Sequence, residues 1–345
     1  MKTIRVQASK SYNVIIGNGL LAKLGEQLLS VCEKSCKVAI ISDSNVWPVY
    51  GKTATKSLIY SGFDVVNYVF PAGENSKSFE IYLDILNFLA ENKITRGDML
   101  IALGGGVVGD ITGFAAVTYL RGVPFVQIPT TLLAMVDSSV GGKTAINLPT
   151  GKNLVGAFNQ PCLVLCDLDA LNTLPESVFR DGCAEVIKYG VIYDAELFEH
   201  LGKYGSDFDR EYVISRCVEL KRNVVEQDEF DTGARQMLNY GHTIGHSIEA
   251  QSGFSITHGQ AVAIGMAIVA KAGCPAIYRQ LTDVLEKFRL PTTTYFTAEQ
   301  LYASALSDKK RAGGTVNLII PTAIGSCAIV PTNVDALKFF IEEGL

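Results

Sequence analysis

The chain has 345 residues, and its 35 acidic and 30 basic side chains give a formal net charge of −5. At about 150 residues per domain, this length predicts about two domains, and the 48% hydrophobic content is typical of globular rather than disordered proteins. The longest apolar run, 261–270, is half of the roughly 20 residues that a membrane-spanning helix needs. The negative charge, without a basic run, argues against a nucleic-acid-binding protein.

Two further features bear on the compartment. The first ten residues carry three basic side chains and no apolar core, so we expect no signal peptide. The eight cysteines include no CxxC pair, and in a chain of this length they predict reduced thiols. We therefore expect a soluble, cytoplasmic protein with two domains.

The first half of the chain alternates short apolar runs with helical segments. The runs are rich in aliphatic residues and end at polar or Gly/Pro positions: 38–41, 65–70, 99–103 and 125–128. Helical spacing separates them, as in 79–92, where the predicted apolar stripe is formed by Tyr82, Leu83, Leu86 and Leu89. Continuous apolar strands that alternate with helices predict a parallel sheet covered on both faces.

The second half has a different character. Nearly everything in 176–287 has helical periodicity, and weak strand patterns return at 316–320 and 327–330. We therefore predict an α/β N-terminal domain with a mainly parallel, Rossmann-like sheet over 1–170. A mainly α-helical C-terminal domain is predicted over 171–345.

A glycine-rich turn, GGGVVGD at 104–110, matches GxGxxG and directly follows a predicted strand. Glycines there would let the backbone approach a pyrophosphate at the start of the next helix. The acidic residue usual about 20 positions downstream is missing, but Asp43 ends an earlier strand where it could meet a ribose hydroxyl. A turn that needs glycine for tight packing explains the same residues, so both interpretations stay open.

The GGKT sequence at 141–144 is like the end of a Walker A loop, but Asp137 stands where that loop requires its first glycine. A P-loop nucleotidase is therefore excluded. Lys143 and Lys152 lie in glycine-rich, turn-like surroundings, where an ammonium group can meet a phosphate. The alternative is that both lysines are simply solvated.

Three of the four histidines, His242, His246 and His258, fall within 17 residues. The segment 235–249 spaces its polar residues by 4, 3, 4 and 3, which predicts one stripe along a single helix: Arg235, Asn239, His242, His246 and Glu249. Its glycines, Gly241 and Gly245, indicate that another group approaches closely. A catalytic metal site and a buried hydrogen-bonded stripe both fit this pattern.

Spacing alone favours His242 and His246 as an i, i+4 ligand pair, without deciding which histidine binds metal and which moves protons. A carboxylate ligand must come from elsewhere, and Glu185 is a candidate. It shares a helix face with Lys188 at i, i+3. An ordinary surface ion pair explains these two residues equally well.

Several motifs together resemble the 3-dehydroquinate synthase family. They occur in family order from about residue 43 to 258, with a looser echo at 308–310. They are GGGVVGD (104–110), PTTLL (129–133), VDSSV leading into GGKT (136–144), GKN (151–153), AEVIKYG (184–190), LNYGHTIGHSIE (238–249) and His258-Gly259.

The resemblance implies an activity that the motifs alone do not specify. The family, a group of phosphate-eliminating lyases, converts 3-deoxy-D-arabino-heptulosonate 7-phosphate into 3-dehydroquinate and phosphate in the shikimate pathway of aromatic amino acid biosynthesis. It uses NAD as a recycled oxidant and a divalent metal, usually zinc, with cobalt as an option. Two alternatives are another sugar phosphate cyclase and a metal-dependent polyol dehydrogenase of similar fold.

The resemblance also implies site residues. It gives Glu185, His242 and His258 as metal ligands and His246 as an acid/base or positioning residue, which replaces the pair that spacing favoured. Positions that match NAD contacts are Asp43, Glu74, Asn75, Lys77, Gly105, Gly106, Val107, Val108, Gly109, Asp110, Thr130, Thr131, Lys143, Lys152 and Thr173. Positions that match substrate or catalytic contacts are Asp137, Lys143, Asn153, Lys188, Lys221, Arg235, Asn239 and one of Lys309 and Lys310. Arg121 resembles an arginine that reaches the neighbouring subunit, which implies a homodimer.

Overall fold

A computed structural model describes residues 1–32, 36–253, 255–309 and 314–345. The chain forms two compact units. The first consists of Met1–Leu174 with Arg210–Phe230, and the second of Pro175–Asp209 with Asp231–Leu345. The helical segment 210–227 therefore packs with the first unit although its sequence neighbours on both sides belong to the second.

The described strands and helices are as follows. The strands are β1 (Lys2–Val6), β2 (Tyr12–Gly17), β3 (Lys37–Asp43), β4 (Asp64–Phe70), β5 (Met99–Gly104), β6 (Phe125–Pro129), β7 (Lys143–Leu148), β8 (Gly151–Phe158), β9 (Leu163–Asp167), β10 (Thr315–Ala323) and β11 (Ser326–Asn333). The α-helices are α1 (Leu24–Leu28), α2 (Lys52–Tyr60), α3 (Phe79–Glu91), α4 (Gly106–Thr118), α5 (Glu176–Tyr193), α6 (Ala195–Tyr204), α7 (Arg210–Gln227), α8 (His242–Gln251), α9 (His258–Gly273), α10 (Pro275–Lys287), α11 (Ala298–Lys309) and α12 (Val334–Gly344).

A seven-stranded sheet forms the centre of the first unit, in the order β1-β2-β9-β6-β5-β3-β4. The β1–β2 pair is antiparallel and every other neighbouring pair is parallel. The four apolar runs of the sequence correspond to β3, β4, β5 and β6. The predicted α/β unit with a mainly parallel, Rossmann-like sheet is therefore confirmed.

Helices cover both faces of this sheet. Successive residues of a strand point to opposite faces, so Ile40 packs in the core beneath α1 and α2, while Ile41 packs in the core beneath α3 and α4. The stripe predicted for α3 is wrong at one position. Leu83 is 46% exposed, and Ile85 is fully buried because it lies nearer the centre of the face formed by Tyr82 and Leu89.

A buried helix, α9, forms the core of the second unit, which agrees with the predicted helical character of this region. Its apolar residues 261–270 are all buried, and α5, α8, α10 and α12 pack against it. The longest apolar run of the sequence is therefore a core helix. Strands β10 and β11 pair as an antiparallel hairpin. Within the described ranges, we find no helix that combines the length and the apolarity required to cross a membrane.

The single helix predicted over 235–249 is wrong. A short 3-10 helix spans Ala234–Asn239, and α8 begins only at His242. Between them, Gly241 adopts a left-handed conformation with φ of 77°. A Cβ at this position would lie 2.7 Å from the Met266 side chain, so glycine is required for both conformation and space.

The expectation of eight reduced thiols is also wrong for two residues. The structure joins Cys32 and Cys36 in a disulfide. The two cysteines are four residues apart in the sequence, so the bond closes a short stretch of chain. The other six cysteines are thiols.

We expect Asp98 to contribute strongly to the stability of the first unit. Its carboxylate accepts hydrogen bonds from Thr95 N at 2.6 Å and from Lys37 N, at the start of β3, at 2.7 Å. Burial alone would raise the pKa of Asp98, but these hydrogen bonds lower it below its ordinary value. This stabilisation is present above the ordinary pKa and is lost as the pH falls through the lowered one, below about pH 4.

Asp98→Ala should therefore lower stability by about 2–3 kcal/mol at pH 7, with a smaller difference from wild type at acid pH. Thermal melting of wild type and variant at pH 7 and at acid pH measures the two differences in stability. The control is Asp64→Ala, which removes a 69% exposed carboxylate 3.3 Å from Lys37 Nζ and should cost less than about 1 kcal/mol. Equal losses of stability in Asp98→Ala and Asp64→Ala would contradict the stabilising role assigned to Asp98.

Candidate functional site

In the first unit, two candidate positions lie at the switch point of the parallel sheet. Strands β3 and β5 are neighbours, and the chain continues from β3 to β4 on one side and from β5 to β6 on the other. Asp43 ends β3 and Gly104 ends β5. In open α/β sheets, ligands bind outside the carboxyl ends of the strands at such a point.

The glycine-rich turn connects β5 directly to α4, as predicted. A Cβ on Gly104 would lie 2.5 Å from Val108, and one on Gly109 would lie 2.5 Å from Gln127, so tight packing explains these two glycines. The start of α4 at Gly106 has no side-chain cap, which leaves its first backbone N–H groups suited to an anion. Packing and ligand binding therefore both contribute to this motif.

Asp43 has a fixed orientation at this edge. Its Oδ1 accepts hydrogen bonds from Asn45 N at 2.8 Å and from Val46 N at 3.0 Å. A small cleft opens at the same edge of the sheet. It is lined by Leu21, Tyr50, Leu103, Ile128, Pro129, Thr130, Asp167, Asp169 and Ala170.

A polar network joins several candidates of the first unit. Lys77, which is 5% exposed, donates to Asp110 Oδ2 at 2.5 Å and to Asn153 Oδ1. Asn147 Oδ1 accepts from Asn153 N at 2.9 Å, and Asn147 Nδ2 donates to Glu74 Oε1 at 2.7 Å. Burial raises the pKa of Asp110 even though the charge of Lys77 opposes this. Sequence reasoning missed Asn147, which belongs to no motif.

Two lysines differ from their predicted surroundings. Lys143 and Lys152, expected in turn-like segments, lie in the paired strands β7 and β8. Strand pairing starts at Lys143, immediately after Gly141 and Gly142, whose φ angles are positive. Lys143 is exposed and Lys152 is partly buried.

A third lysine of the first unit has a buried partner. Lys221, on α7, is 5% exposed and donates to the carboxylate and the main-chain oxygen of Asp137. The structure thus brings together two residues that match substrate contacts and lie 84 positions apart. The fold of α7 onto the first unit is what makes this pair possible.

The remaining candidates of the first unit lie outside these networks. Arg121 is exposed and has a left-handed φ of 67°, directly after Leu120 with φ of 51°. Thr173 shares a hydrogen bond with Tyr50, whose hydroxyl also donates to Ala170 O at 3.1 Å. Asn75 is exposed.

In the second unit, three candidate ligands converge. Glu185, on α5, is fully buried, and its Oε1 lies 3.5 Å from His242 Nε2 and 3.5 Å from His258 Nε2. A ligand atom of each residue lies within 4.8 Å of the others, so the three could hold one ion. Among the described residues, no group of three or more such donors contains both His242 and His246.

The protonation of the two imidazoles follows from their surroundings. His242 Nδ1 lies 3.0 Å from Tyr240 O, which can only accept, so Nδ1 carries the proton and Nε2 offers a lone pair. Burial, helped by the charge of Lys188, lowers the pKa of His242 to about 3. Burial would also lower the pKa of His258, but hydrogen bonds to Glu185 and Glu249 outweigh it and raise that pKa to about 10.

The pair formed by Glu185 and Lys188 is not a surface ion pair. The two side chains are 0% and 1% exposed, and Lys188 Nζ donates to Glu185 Oε2. A buried ion pair is costly to desolvate and is weak evidence for stability. A charged pair buried to this degree within a cluster of titratable groups is more typical of a functional site.

The first turn of α9 is held by α5. Thr257 and Gln260 form a capping box at the start of α9. Asp181, one turn before Glu185, accepts from Thr257 Oγ1 and from Gln260 N at 3.2 Å. The same face of α5 therefore supplies the buried carboxylate and fixes His258, the first residue of α9. Sequence reasoning missed Asp181, although its i, i+4 spacing from Glu185 is a visible signal.

The other candidates of the second unit have varied environments. Arg235 is 2% exposed, whereas Asn239 and His246 are exposed. The His246 ring centroid lies 5.4 Å from that of His242. Lys309 is the last residue of α11, and Lys310 lies outside the described residues.

Gly259→Ala should weaken metal binding. A Cβ at this position would lie 2.0 Å from the backbone oxygen of Asp181, so the first turn of α9, and His258 with it, must shift. We expect the purified variant to retain less metal, measured by elemental analysis. The control is Gly202→Ala in α6, where the nearest atom to the added Cβ is 3.5 Å away and metal content should not change. A Gly259→Ala protein with full metal content would contradict this.

His242→Ala and His246→Ala should differ in metal content. His242 contributes an Nε2 atom to the group around Glu185, so its removal should abolish metal retention. His246 is not in that group, and His246→Ala should keep its metal and lose turnover rate. Metal analysis of both variants decides between this arrangement and the i, i+4 pair, which predicts loss in both.

Family comparisons match most of the chain. The model of the 3-dehydroquinate synthase N-terminal domain matches residues 67–181, and that of the C-terminal domain matches 182–311. A 3-dehydroquinate synthase of Microcystis aeruginosa is 46% identical over 336 residues, covering 93% of this chain and 92% of the relative.

Two solved structures are also similar. A 2-deoxy-scyllo-inosose synthase complexed with carbaglucose-6-phosphate, NAD⁺ and Co²⁺ has a TM-score of 0.89 and 26% identity, covering all of both chains. A 2-epi-5-epi-valiolone synthase from Streptomyces hygroscopicus with NAD⁺ and Zn²⁺ bound has a TM-score of 0.88 and 28% identity, covering 99% of each chain.

Proposed function

Because the chain belongs to the 3-dehydroquinate synthase family, we propose that it converts 3-deoxy-D-arabino-heptulosonate 7-phosphate into 3-dehydroquinate and phosphate, using NAD and a divalent metal. The reaction class is that of a phosphate-eliminating carbon–oxygen lyase. The observation that carries the proposal is the convergence of Glu185, His242 and His258 in a unit that also buries the cations Lys188 and Arg235. A polyol substrate would give such cations no anionic group to bind.

The donor chemistry of the second unit fits a zinc-type ion. One carboxylate oxygen and two imidazole Nε2 atoms are a ligand set found in catalytic zinc sites, which keep a further position open for substrate. Zinc and cobalt both fit these ligands. A bound divalent cation would also neutralise the negative charge of the buried Glu185 carboxylate.

The first unit fits a dinucleotide. The uncapped start of α4 at Gly106 offers backbone N–H groups to a pyrophosphate, and Asp43 at the end of β3 can accept a hydrogen bond from a ribose hydroxyl. When bound, NAD would accept and return a hydride, and the metal would act as a Lewis acid on a substrate hydroxyl. The chain's own residues bind and orient the substrate and move protons.

Each unit contains buried cations, and the proposed substrate carries two kinds of anionic group, a carboxylate and a phosphate. We assign Arg235 to the substrate carboxylate, because a guanidinium group fits a carboxylate bidentately and this one is 2% exposed. Lys77, Lys152, Lys188 and Lys221 supply further ammonium groups. His246, exposed beside His242, is assigned to carry a proton on its imidazole during elimination and ring closure.

Two finer assignments complete the proposal. The cytoplasm is the expected compartment, as for a biosynthetic enzyme without a described membrane-crossing helix. A homodimer is supported by Arg121, which is exposed in a strained left-handed segment beside the 42% exposed Leu120. Strained, exposed positions of this kind are frequent where a side chain is committed to a ligand or partner.

The first test separates a synthase from a dehydrogenase. With the heptulosonate phosphate as substrate, phosphate release should greatly exceed the NAD supplied, because each turnover returns NAD to its oxidised form. Phosphate and absorbance at 340 nm are followed together. Chelation should stop the reaction without unfolding the chain. Accumulation of NADH equal to product would instead identify a polyol dehydrogenase.

Arg235→Ala should lower kcat/KM by about a hundredfold, since removing one partner of a desolvated charge pair costs about 2–5 kcal/mol. Binding of NAD and metal content should stay unchanged. The control is Arg279→Ala, an exposed arginine of α10, which should have normal kinetics. Normal kcat/KM in Arg235→Ala, or equal turnover of a heptulose phosphate that lacks a carboxylate, would make the substrate assignment wrong.

A further inference from the structure

A second buried carboxylate lies beside the candidate metal group. Glu249, on α8, is 3% exposed, and its Oε2 lies 3.2 Å from His258 Nδ1. It is seven residues, nearly two helical turns, after His242, so both project from similar sides of α8. Glu249 is not among the three residues that converge on Glu185 Oε1. Its burial therefore needs its own explanation.

The contact between Glu249 and His258 fixes the orientation of the imidazole ring. An ionised carboxylate can only accept a hydrogen bond, so Nδ1 of His258 is the donor. The opposite ring nitrogen, Nε2, then faces Glu185 Oε1 at 3.5 Å. Glu249 thus sets both the plane of the ring and the nitrogen that is directed at the candidate metal position.

We propose that Glu249 is a positioning residue that orients His258 as a metal ligand, an inference that rests on the metal site of the proposed function. Carboxylates that accept from the remote nitrogen of a ligating histidine fix its tautomer and increase its basicity. His242 is held by the same device, but its acceptor is the backbone oxygen of Tyr240 at 3.0 Å. The two histidine ligands therefore differ: the acceptor for His258 is a charged side chain that can be substituted, and the acceptor for His242 is a backbone oxygen.

A competing role for Glu249 is support of His246. Donor atoms of His246, Glu249 and His258 also lie within 4.8 Å of one another, so the carboxylate is close to both imidazoles. Metal affinity separates the two roles, because His246 does not belong to the group around Glu185. A carboxylate that serves only His246 would change turnover and its pH profile and leave metal affinity unchanged.

The experiment measures metal affinity without any substrate. Metal-free full-length protein is titrated with Zn²⁺ in competition with a chromophoric chelator at fixed pH. We expect Glu249→Ala to weaken Zn²⁺ binding by about 10–100-fold. Glu249→Gln, whose amide oxygen can still accept from Nδ1 but carries no charge, should show a smaller loss of about three- to tenfold. The visible spectrum of the Co²⁺-loaded Glu249→Ala protein should also change.

Two controls make the outcome interpretable. Ser247→Ala removes a side chain that is 4% exposed on the same helix and donates to Thr243 O at 3.3 Å, and it should bind Zn²⁺ like the wild type. His242→Ala tests the proposed metal site itself and should lose affinity. Thermal melting of each metal-free protein checks folding, and Glu249→Gln serves if Glu249→Ala does not fold.

The possible results are distinguishable. Zn²⁺ dissociation constants within twofold of wild type for the Glu249 variants, with loss in His242→Ala, would overturn this inference and leave the proposed function intact. Wild-type affinity in His242→Ala would overturn the metal site and the inference together. Graded losses in Glu249→Ala and Glu249→Gln, with none in Ser247→Ala, would support the inference.

Discussion

The buried carboxylate of Glu185 constrains the helices of the second unit. Oε1 faces the Nε2 atoms of His242 and His258, and Oε2 accepts from Lys188. Leaving a buried charge uncompensated typically costs about 3–5 kcal/mol. His242, the first residue of α8, and His258, the first residue of α9, must therefore both lie beside α5. This contact limits the direction in which each of the two helices continues.

Glycines make this meeting possible. A Cβ on Gly265 would lie 2.1 Å from Gly241 O, and one on Gly245 would lie 3.1 Å from the backbone of Ala261. In the sequence, Gly241 and Gly245 indicate that another group approaches closely. That group is α9, which packs against the turn before α8 and against α8 itself. Side chains larger than hydrogen would separate the two helices and move His242 away from Glu185.

In the first unit, as in the second, buried lysines are paired with groups of opposite charge. Asp43 and the glycine-rich turn lie where strands end and where a helix begins, and at these points backbone groups have no partner within the element. Its buried cations each have a carboxylate nearby, Lys77 with Asp110 and Lys221 with Asp137. Charged groups held in this way keep one orientation, which a binding site requires.

The sequence by itself determined the alternation of apolar strands and helices, because periodicity and turn residues are local properties. It also predicted the glycine-rich turn and, through family motifs, the set of Glu185, His242 and His258 as ligands. Tertiary structure alone decided what depends on distant contacts: the left-handed Gly241 that divides one predicted helix into two, the packing of α7 with the first unit, and the complete burial of the ion pair of Glu185 and Lys188. Asp181 escaped sequence reasoning, and Glu249 was placed in the polar stripe without a role, since a carboxylate shows its role only through the atoms that surround it.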